Sequence, residues 1–478
     1  MFFWTSAAAQ VALRMETMRK AEAALVALAR GFGEGETSSA SSSSPPPSYT
    51  MELFDTVISS SFLPFRKDQG ICSNDASNND EPLTMHAIRV TKEKSQEQPS
   101  NRFGWRNQQQ EQEQEQQEQE QEEQEHQYPL VIVHGYMNGA LYFYRNLTGL
   151  ANYFNTVVSV DLLGWGLSSR PSFGLLRDDS VETAEAFFVE SLEAWRSANK
   201  IEKMTLAGHS MGGYLSVAYC EKYPERVDSL LLLSPAGVPE HTAEKEAERR
   251  ARFFDTVPKR LVFGLFSSLW EMGYTPGSLL RALPESRGRE MVERYVKGRL
   301  PAITDPHEQA VLSEYMYTGN ILPASGEYCL SRILNPGVNA KKPLVHRIPK
   351  LNVERVSMFY GTHDWMDVRG GLDTQRACLA SEDQTTPRVG VYQVKNAGHL
   401  LMLENSKGFN TAVELAAGQK IPEGAKEEDL PVVLDVRVLD EMAEASMATR
   451  HHSTGQPSNP IPTGSGGSGS GSGMQTTV

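Results

Sequence analysis

In this chain of 478 residues, the ten from Met204 to Gly213 restrict the fold most. An apolar run, Met204-Thr205-Leu206-Ala207, enters Gly208-His209-Ser210-Met211-Gly212, and an Ala- and Tyr-rich helical stretch leaves it. A strand that turns directly into a helix holds the residue at its tip in strained backbone angles with the side chain exposed. Gly208 and Gly212 are needed because a side chain at either place would strike the adjoining strand or helix. The tip residue is Ser210, whose hydroxyl a neighbouring base can turn into a nucleophile. The amide of Met211 lies at the helix N-terminus, where it can stabilise a developing oxyanion.

The same texture recurs along the chain. Leu130–Val133, Thr156–Val160, Leu230–Leu233, Val356–Tyr360 and Val389–Val394 are short, mostly apolar runs, as expected of strands buried on both faces of a parallel sheet. Helical stretches at Ser180–Ala198 and Gly213–Glu221 separate them, and Met85–Val90 reads as an earlier strand. This alternation predicts an α/β fold, a mostly parallel sheet flanked by helices, with reactive groups on loops past the C-terminal ends of the strands. Between Pro235 and Pro349 no clear strand is visible, and the segment reads as a helical lid insertion. Its apolar residues, among them Leu261, Val262, Phe263, Leu265, Phe266, Leu269 and Trp270, suit an acyl-chain cover and equally a helix core.

A serine nucleophile needs a base and an acid, which follow such an elbow in the order acid, then His. Of the eleven histidines, His399 in Asn396-Ala397-Gly398-His399 sits on a loop just past a late strand. His209 adjoins the nucleophile and faces the wrong way, and His451-His452 lie in the tail. Asp364 follows the preceding strand, and Asp367 is the alternative carboxylate to orient the imidazole. The second oxyanion donor is expected from His134-Gly135-Tyr136-Met137, as the amide of Tyr136 with that of Met137 the near alternative. No His, Cys and Asp cluster has metal-ligand spacing, so no metal is expected. Gly164-Trp165-Gly166 lacks the third glycine and the helix start of a dinucleotide loop.

The net charge of −14 comes with no basic stripe, so nucleic acid is not an expected partner. Four scattered cysteines (Cys72, Cys220, Cys329 and Cys378) fit a reducing, cytoplasmic compartment. No stretch approaches the ~18–20 apolar residues of a membrane span. Near the N-terminus, Val11, Met15, Met18, Ala21, Leu25, Leu28 and Phe32 recur at helical spacing. Such a helix can pack on the domain, lie in a membrane interface with Phe2, Phe3 and Trp4 as anchor, or serve as a transit peptide. The interfacial reading places the protein peripherally on a lipid droplet, endoplasmic reticulum or mitochondrial membrane.

The resulting partition is an N-terminal amphipathic helix at 1–34, a disordered linker at 35–50 and a strand region at 51–107. A disordered Gln/Glu tract follows at 108–127. The sheet core takes 128–234 and 350–420, the lid 235–349, and a mostly disordered tail 421–478.

Taken together, these residues resemble a known family. His134-Gly135-Tyr136, Tyr144-Arg145-Asn146-Leu147, the run Asp161–Pro171 and the Ser210 elbow are similar to the α/β-hydrolase fold family. Trp365-Met366-Asp367 and Ala324-Ser325-Gly326-Glu327 narrow the likeness to the α/β-hydrolase-domain four and five subgroup, with its plant and fungal relatives. The likeness covers roughly residues 128–412, and Trp4-Thr5-Ser6 is a further point of similarity. It implies work on acyl lipids, as lysophospholipid or N-acyl phospholipid hydrolase, as lysophosphatidic acid acyltransferase, or as a lipid-droplet scaffold that regulates a lipase. The scaffold branch lacks the elbow serine that this chain keeps. The transferase members carry a His with an Asp after four intervening residues, and here Glu404 stands in the acidic place after His399. No cofactor is implied, with acyl-CoA a co-substrate only for transfer.

Overall fold

The computed structural model describes residues 7–35, 48–59, 82–93, 128–171, 180–240, 256–418, 420–421 and 424–442. The Phe2–Trp4 anchor, most of the linker, the Gln/Glu tract at 108–127 and the tail beyond 442 lie outside the described residues. Strands β1 (Tyr49–Ile58), β2 (Leu83–Lys92), β3 (Leu130–Val133), β4 (Thr156–Val160), β5 (Met204–His209) and β6 (Val227–Leu233) precede the insertion. A small ribbon, β7 (Leu334–Asn335) with β8 (Asn339–Ala340), closes the insertion, and β9 (Arg355–Gly361), β10 (Arg388–Val394) and β11 (Val432–Leu434) follow.

Nine of these make one sheet in the order β1-β2-β4-β3-β5-β6-β9-β10-β11. The six from β4 to β10 run parallel. The outer pairings, β1 with β2, β2 with β4, and β10 with β11, are antiparallel. Parallel neighbours need long crossovers. Helices α2 (Leu147–Phe154), α3 (Val181–Ala198) and α4 (Met211–Lys222) serve the first half, and α10 (Val368–Leu379) and α12 (Ser406–Gly418) the second. Because strand side chains alternate, Leu130 and Ile132 of β3 enter one hydrophobic core, and Val131 and Val133 enter another on the opposite face.

Two features depart from the sequence reading, and two decide between alternatives it leaves open. The early strand region is a ten-residue antiparallel ribbon, with β1 beginning at Tyr49 inside the expected linker. The tail expected to be mostly disordered contributes β11, whose Val432, Val433 and Leu434 pair with β10. Residues 436–442, a unit apart, are helical. The insertion is divided in character. Its helix α5 (Val257–Glu271) leaves Val257, Leu261 and Leu265 exposed, yet Trp270 is buried and donates to the Leu334 carbonyl at 3.0 Å.

The fourth concerns the N-terminal helix, α1 (Ala7–Gly35), which packs on the domain, the first of the three readings its sequence allows. Met18, Ala21, Leu25, Val26 and Ala29 are buried in the domain core, beside the insertion's helix α8 (Pro306–Ile321). Arg14 donates to the Ile321 carbonyl at 2.9 Å, and Phe32 meets Tyr144 edge to face. Glu22 reaches His86 Nε2 at 3.0 Å, while Asp55 holds Nδ1 at 2.5 Å. The stripe that could equally offer a membrane contact is spent on the domain, which decides against the interfacial alternative for residues 7–34. No helix among the described residues is long and apolar enough to cross a membrane.

Candidate active site

The elbow at the end of β5 has Ser210 at φ 53°, ψ −114°. A Cβ on Gly208 would lie 2.4 Å from the Gly212 carbonyl oxygen, and one on Gly212 would lie 2.5 Å from that of Val133. Only glycine fits at either place. The Ser210 amide donates to Leu233 O at 2.9 Å, and its carbonyl accepts from the Ala236 amide at 3.0 Å. The nucleophile candidate is thus pinned to the end of β6.

His399, past β10, brings Nε2 to 3.2 Å from Ser210 Oγ. Its Nδ1 lies 3.3 Å from Asp364 Oδ1, on the loop past β9. The Met366 amide donates to the same Oδ1 at 2.9 Å. Burial works to raise the Asp364 pKa, but the imidazole and the Ser234 hydroxyl outweigh it and hold the carboxyl below its ordinary value. Three residues from three strand ends therefore meet as the chain order predicts. Asp367 does not join them. It caps α10, accepting from the Arg369 amide at 3.0 Å and pairing with the Arg369 guanidinium.

The backbone around His399 is held from two sides. Glu404, in the short helix α11 (Leu401–Glu404), accepts from the Gly398 amide at 2.9 Å and from the Leu400 amide at 3.1 Å. The carbonyl of His399 accepts from His209 Nε2 at 3.0 Å. His209 is fully buried, which pushes its pKa down to about 3, so it stays neutral as a strut. Trp365, half exposed, lies over the imidazole with ring centroids 4.8 Å apart.

Met211 follows the serine at the start of α4, and Tyr136 follows Gly135, whose loop packs on the elbow. Among the described residues neither backbone amide donates a hydrogen bond, which leaves both available to an oxyanion. Gly135 lies so close to the elbow that a Cβ there would come 3.1 Å from Ser210 Cβ. The Tyr136 hydroxyl accepts from the Gly277 amide at 2.9 Å, tying this loop to the insertion's helix α6 (Pro276–Ala282), and burial pushes its pKa up to about 12. The Gly164–Gly166 loop wraps a carboxylate rather than a phosphate, because Asp161 accepts from the Ala140 and Leu167 amides at 2.7 and 2.8 Å. Among the described residues no cluster of three or more His, Cys, Asp or Glu could hold a metal ion.

Residues 128–406 match the family model described as the alpha/beta hydrolase fold. The chain belongs to the α/β-hydrolase fold family. This α/β hydrolase is 35% identical over 306 residues to a probable 1-acylglycerol-3-phosphate O-acyltransferase of Oryza sativa, covering 63% of this chain and 69% of that protein. It is 33% identical to the 1-acylglycerol-3-phosphate O-acyltransferase of Arabidopsis thaliana, over 59% of this chain and 65% of the relative. It is 32% identical to a (lyso)-N-acylphosphatidylethanolamine lipase of Bos taurus, over 60% and 78% respectively.

One residue of the site, Ser234, escapes the sequence reading, and another, Glu404, takes a role that reading does not give it. Ser234, the first residue past β6, lies 2.6 Å from His399 Nδ1 and 2.5 Å from Asp364 Oδ2. Its signal was positional, since it ends the apolar run Leu230–Leu233 one strand away from the acid. Glu404 stands in the acidic place of the transfer motif. Its carboxylate accepts from two backbone amides, one on each side of His399, a role the motif does not announce.

Proposed function

We propose that this protein is a serine-dependent carboxylic ester hydrolase acting on acyl lipids such as lysophospholipids or N-acyl phospholipids. The observation that carries the reading is Ser210 Oγ within 3.2 Å of His399 Nε2, with the opposite ring nitrogen facing a buried carboxylate. Ser210 attacks the acyl carbonyl carbon as His399 Nε2 takes the hydroxyl proton. The carbonyl π pair moves onto oxygen, facing the Tyr136 and Met211 amides. Collapse of the tetrahedral intermediate expels the alcohol, which receives the proton from His399, and leaves an acyl-enzyme on Ser210. Water then repeats the sequence, giving up its proton to His399 and releasing the fatty acid. Lipid chemistry for the substrate is supported by the names of the rice, Arabidopsis and bovine relatives.

The second reading is an acyl-CoA-dependent lysophosphatidic acid acyltransferase making phosphatidic acid, favoured by the names of the two plant relatives. The hydroxyl of lysophosphatidic acid then takes the place of water, and wins only where it is bound in orientation. Purified protein exposed to a fluorophosphonate should form an adduct on Ser210. No adduct, under conditions that label a control serine hydrolase, leaves a non-catalytic lipid-droplet scaffold as the better reading. Labelled lysophosphatidic acid with oleoyl-CoA separates the other two, by whether free fatty acid or phosphatidic acid accumulates.

A further inference from the structure

We propose that Ser234 is a positioning residue that couples Asp364 to His399, so that the acid orients the base chiefly through a hydroxyl. The inference rests on the reading of Ser210 as nucleophile. To accept a proton at Nε2, the neutral imidazole must carry its own proton at Nδ1. That N–H meets Ser234 Oγ at 2.6 Å, against 3.3 Å for Asp364 Oδ1. A serine hydroxyl has one proton to donate and can accept at the same time. With the imidazole donating to it, the Ser234 proton goes to Asp364 Oδ2, 2.5 Å away. Each hydrogen has one acceptor in this chain, and the carboxylate keeps Oδ1 for the Met366 amide at 2.9 Å. When His399 becomes an imidazolium, its charge is felt by the carboxylate through an aligned hydroxyl dipole.

The backbone gives the second argument. Ser234 is fully buried at φ +45°, a region costly for any residue but glycine. Its amide is fixed to Phe359 O at 2.7 Å, on the strand whose following loop carries Asp364. Glycine would occupy this backbone with less strain, so what serine adds is its hydroxyl.

The test compares Ser234→Ala, which keeps the strain and deletes the hydroxyl, with Ser234→Gly, which deletes the hydroxyl and relieves the strain. The rate of fluorophosphonate labelling at Ser210, and kcat on a short-chain ester, should fall roughly ten- to a hundredfold in both, the value of one hydrogen bond to a charged group. KM should hold, and the melting temperature of the Gly variant should equal or exceed that of the Ala variant, which keeps the strain. Labelling of both variants within about twofold of the parent, or a loss in Ala that Gly restores, overturns the proposal. The Nδ1–H resonance of His399 in the full-length protein gives a readout that needs no activity. It should move upfield in Ser234→Ala, and an unmoved resonance overturns the proposal. A parent that fails to label at Ser210 while the resonance still moves would sink the hydrolase reading and leave the coupling standing.

Discussion

Replacing Glu404 with Gln tests whether its carboxylate serves the base or the acyl acceptor. The glutamate spends one oxygen on the Gly398 amide at 2.9 Å and the other on the Leu400 amide at 3.1 Å, one on each side of His399. Gln keeps one acceptor oxygen and turns an NH2 toward the other amide, which cannot accept it. A hydrogen bond to a charged group contributes about 1.5–3 kcal/mol, with the lower end expected at a half-buried site. A loss of about 1.5–2 kcal/mol, felt wholly in the placement of the imidazole, slows the reaction roughly ten- to thirtyfold. Glu404→Ala removes both acceptors and should cost more. Ester hydrolysis and phosphatidic acid formation are measured side by side, with the melting temperature as a control. Because both reactions need His399, both should fall by the same factor while KM changes little. A variant that loses phosphatidic acid formation and keeps hydrolysis would refute the clasp and place Glu404 at the acceptor.

Other expectations follow from the same geometry. Ser210→Gly should abolish fluorophosphonate labelling yet stabilise the fold by about 1 kcal/mol in urea titration, because the strain at φ 53° costs of order 1–3 kcal/mol and the added chain entropy of glycine returns about 0.5–1. Gly135→Ala brings a Cβ to 2.8 Å from His209 Nδ1, so labelling should collapse while stability falls by roughly 1–3 kcal/mol on thermal unfolding. Asp55 and Glu22 outweigh burial and raise the pKa of His86 to about 10, above its unfolded value of about 6.5. Its stabilising contribution is therefore complete below about pH 6.5 and is lost as pH rises through 10. The melting temperature should decline between pH 7 and 10, less so in His86→Gln, and identical slopes would refute the buried clamp.

The elbow, the order of acid and base, and the parallel core were legible because each is imposed locally. Gly208 and Gly212 are demanded by carbonyl oxygens within 2.6 Å of any Cβ, and β3, with an unbroken apolar run, and β5, whose run into the elbow is interrupted only by Thr205, advertise burial on both faces. Asp364 and Asp367 could be ranked but not separated, since what divides them is a helix cap and an arginine, not spacing. Ser234 was hidden because a serine after a strand is ordinary until the neighbouring strand end is known. The fate of α1 was hidden for a similar reason. Its apolar stripe suits a bilayer as well as a core, and the decision rests on His86, a residue of β2 that reaches Glu22 from 64 positions away. Charged partners at long range leave no periodicity in a sequence.

Backbone strain shows what the sheet is for. Met137, Ser210, Ser234 and Asn396 are non-glycine residues with positive φ, and they stand just past the ends of β3, β5, β6 and β10. Strain of this kind costs of order 1–3 kcal/mol per residue and persists only where the surroundings dictate it. The surroundings here are loops on one edge of a parallel sheet, three after the neighbouring strands β3, β5 and β6 and one after β10, which β9 separates from them. One of these residues is the nucleophile candidate, one bridges the candidate acid and base, one follows Tyr136, whose amide is the candidate oxyanion donor, and one starts the turn that carries His399. A more relaxed arrangement at any of them would turn its loop away from the meeting point. The stability of the two cores is therefore what allows the hydroxyl, the imidazole and the carboxylate to stay within about one hydrogen bond of each other before any substrate arrives.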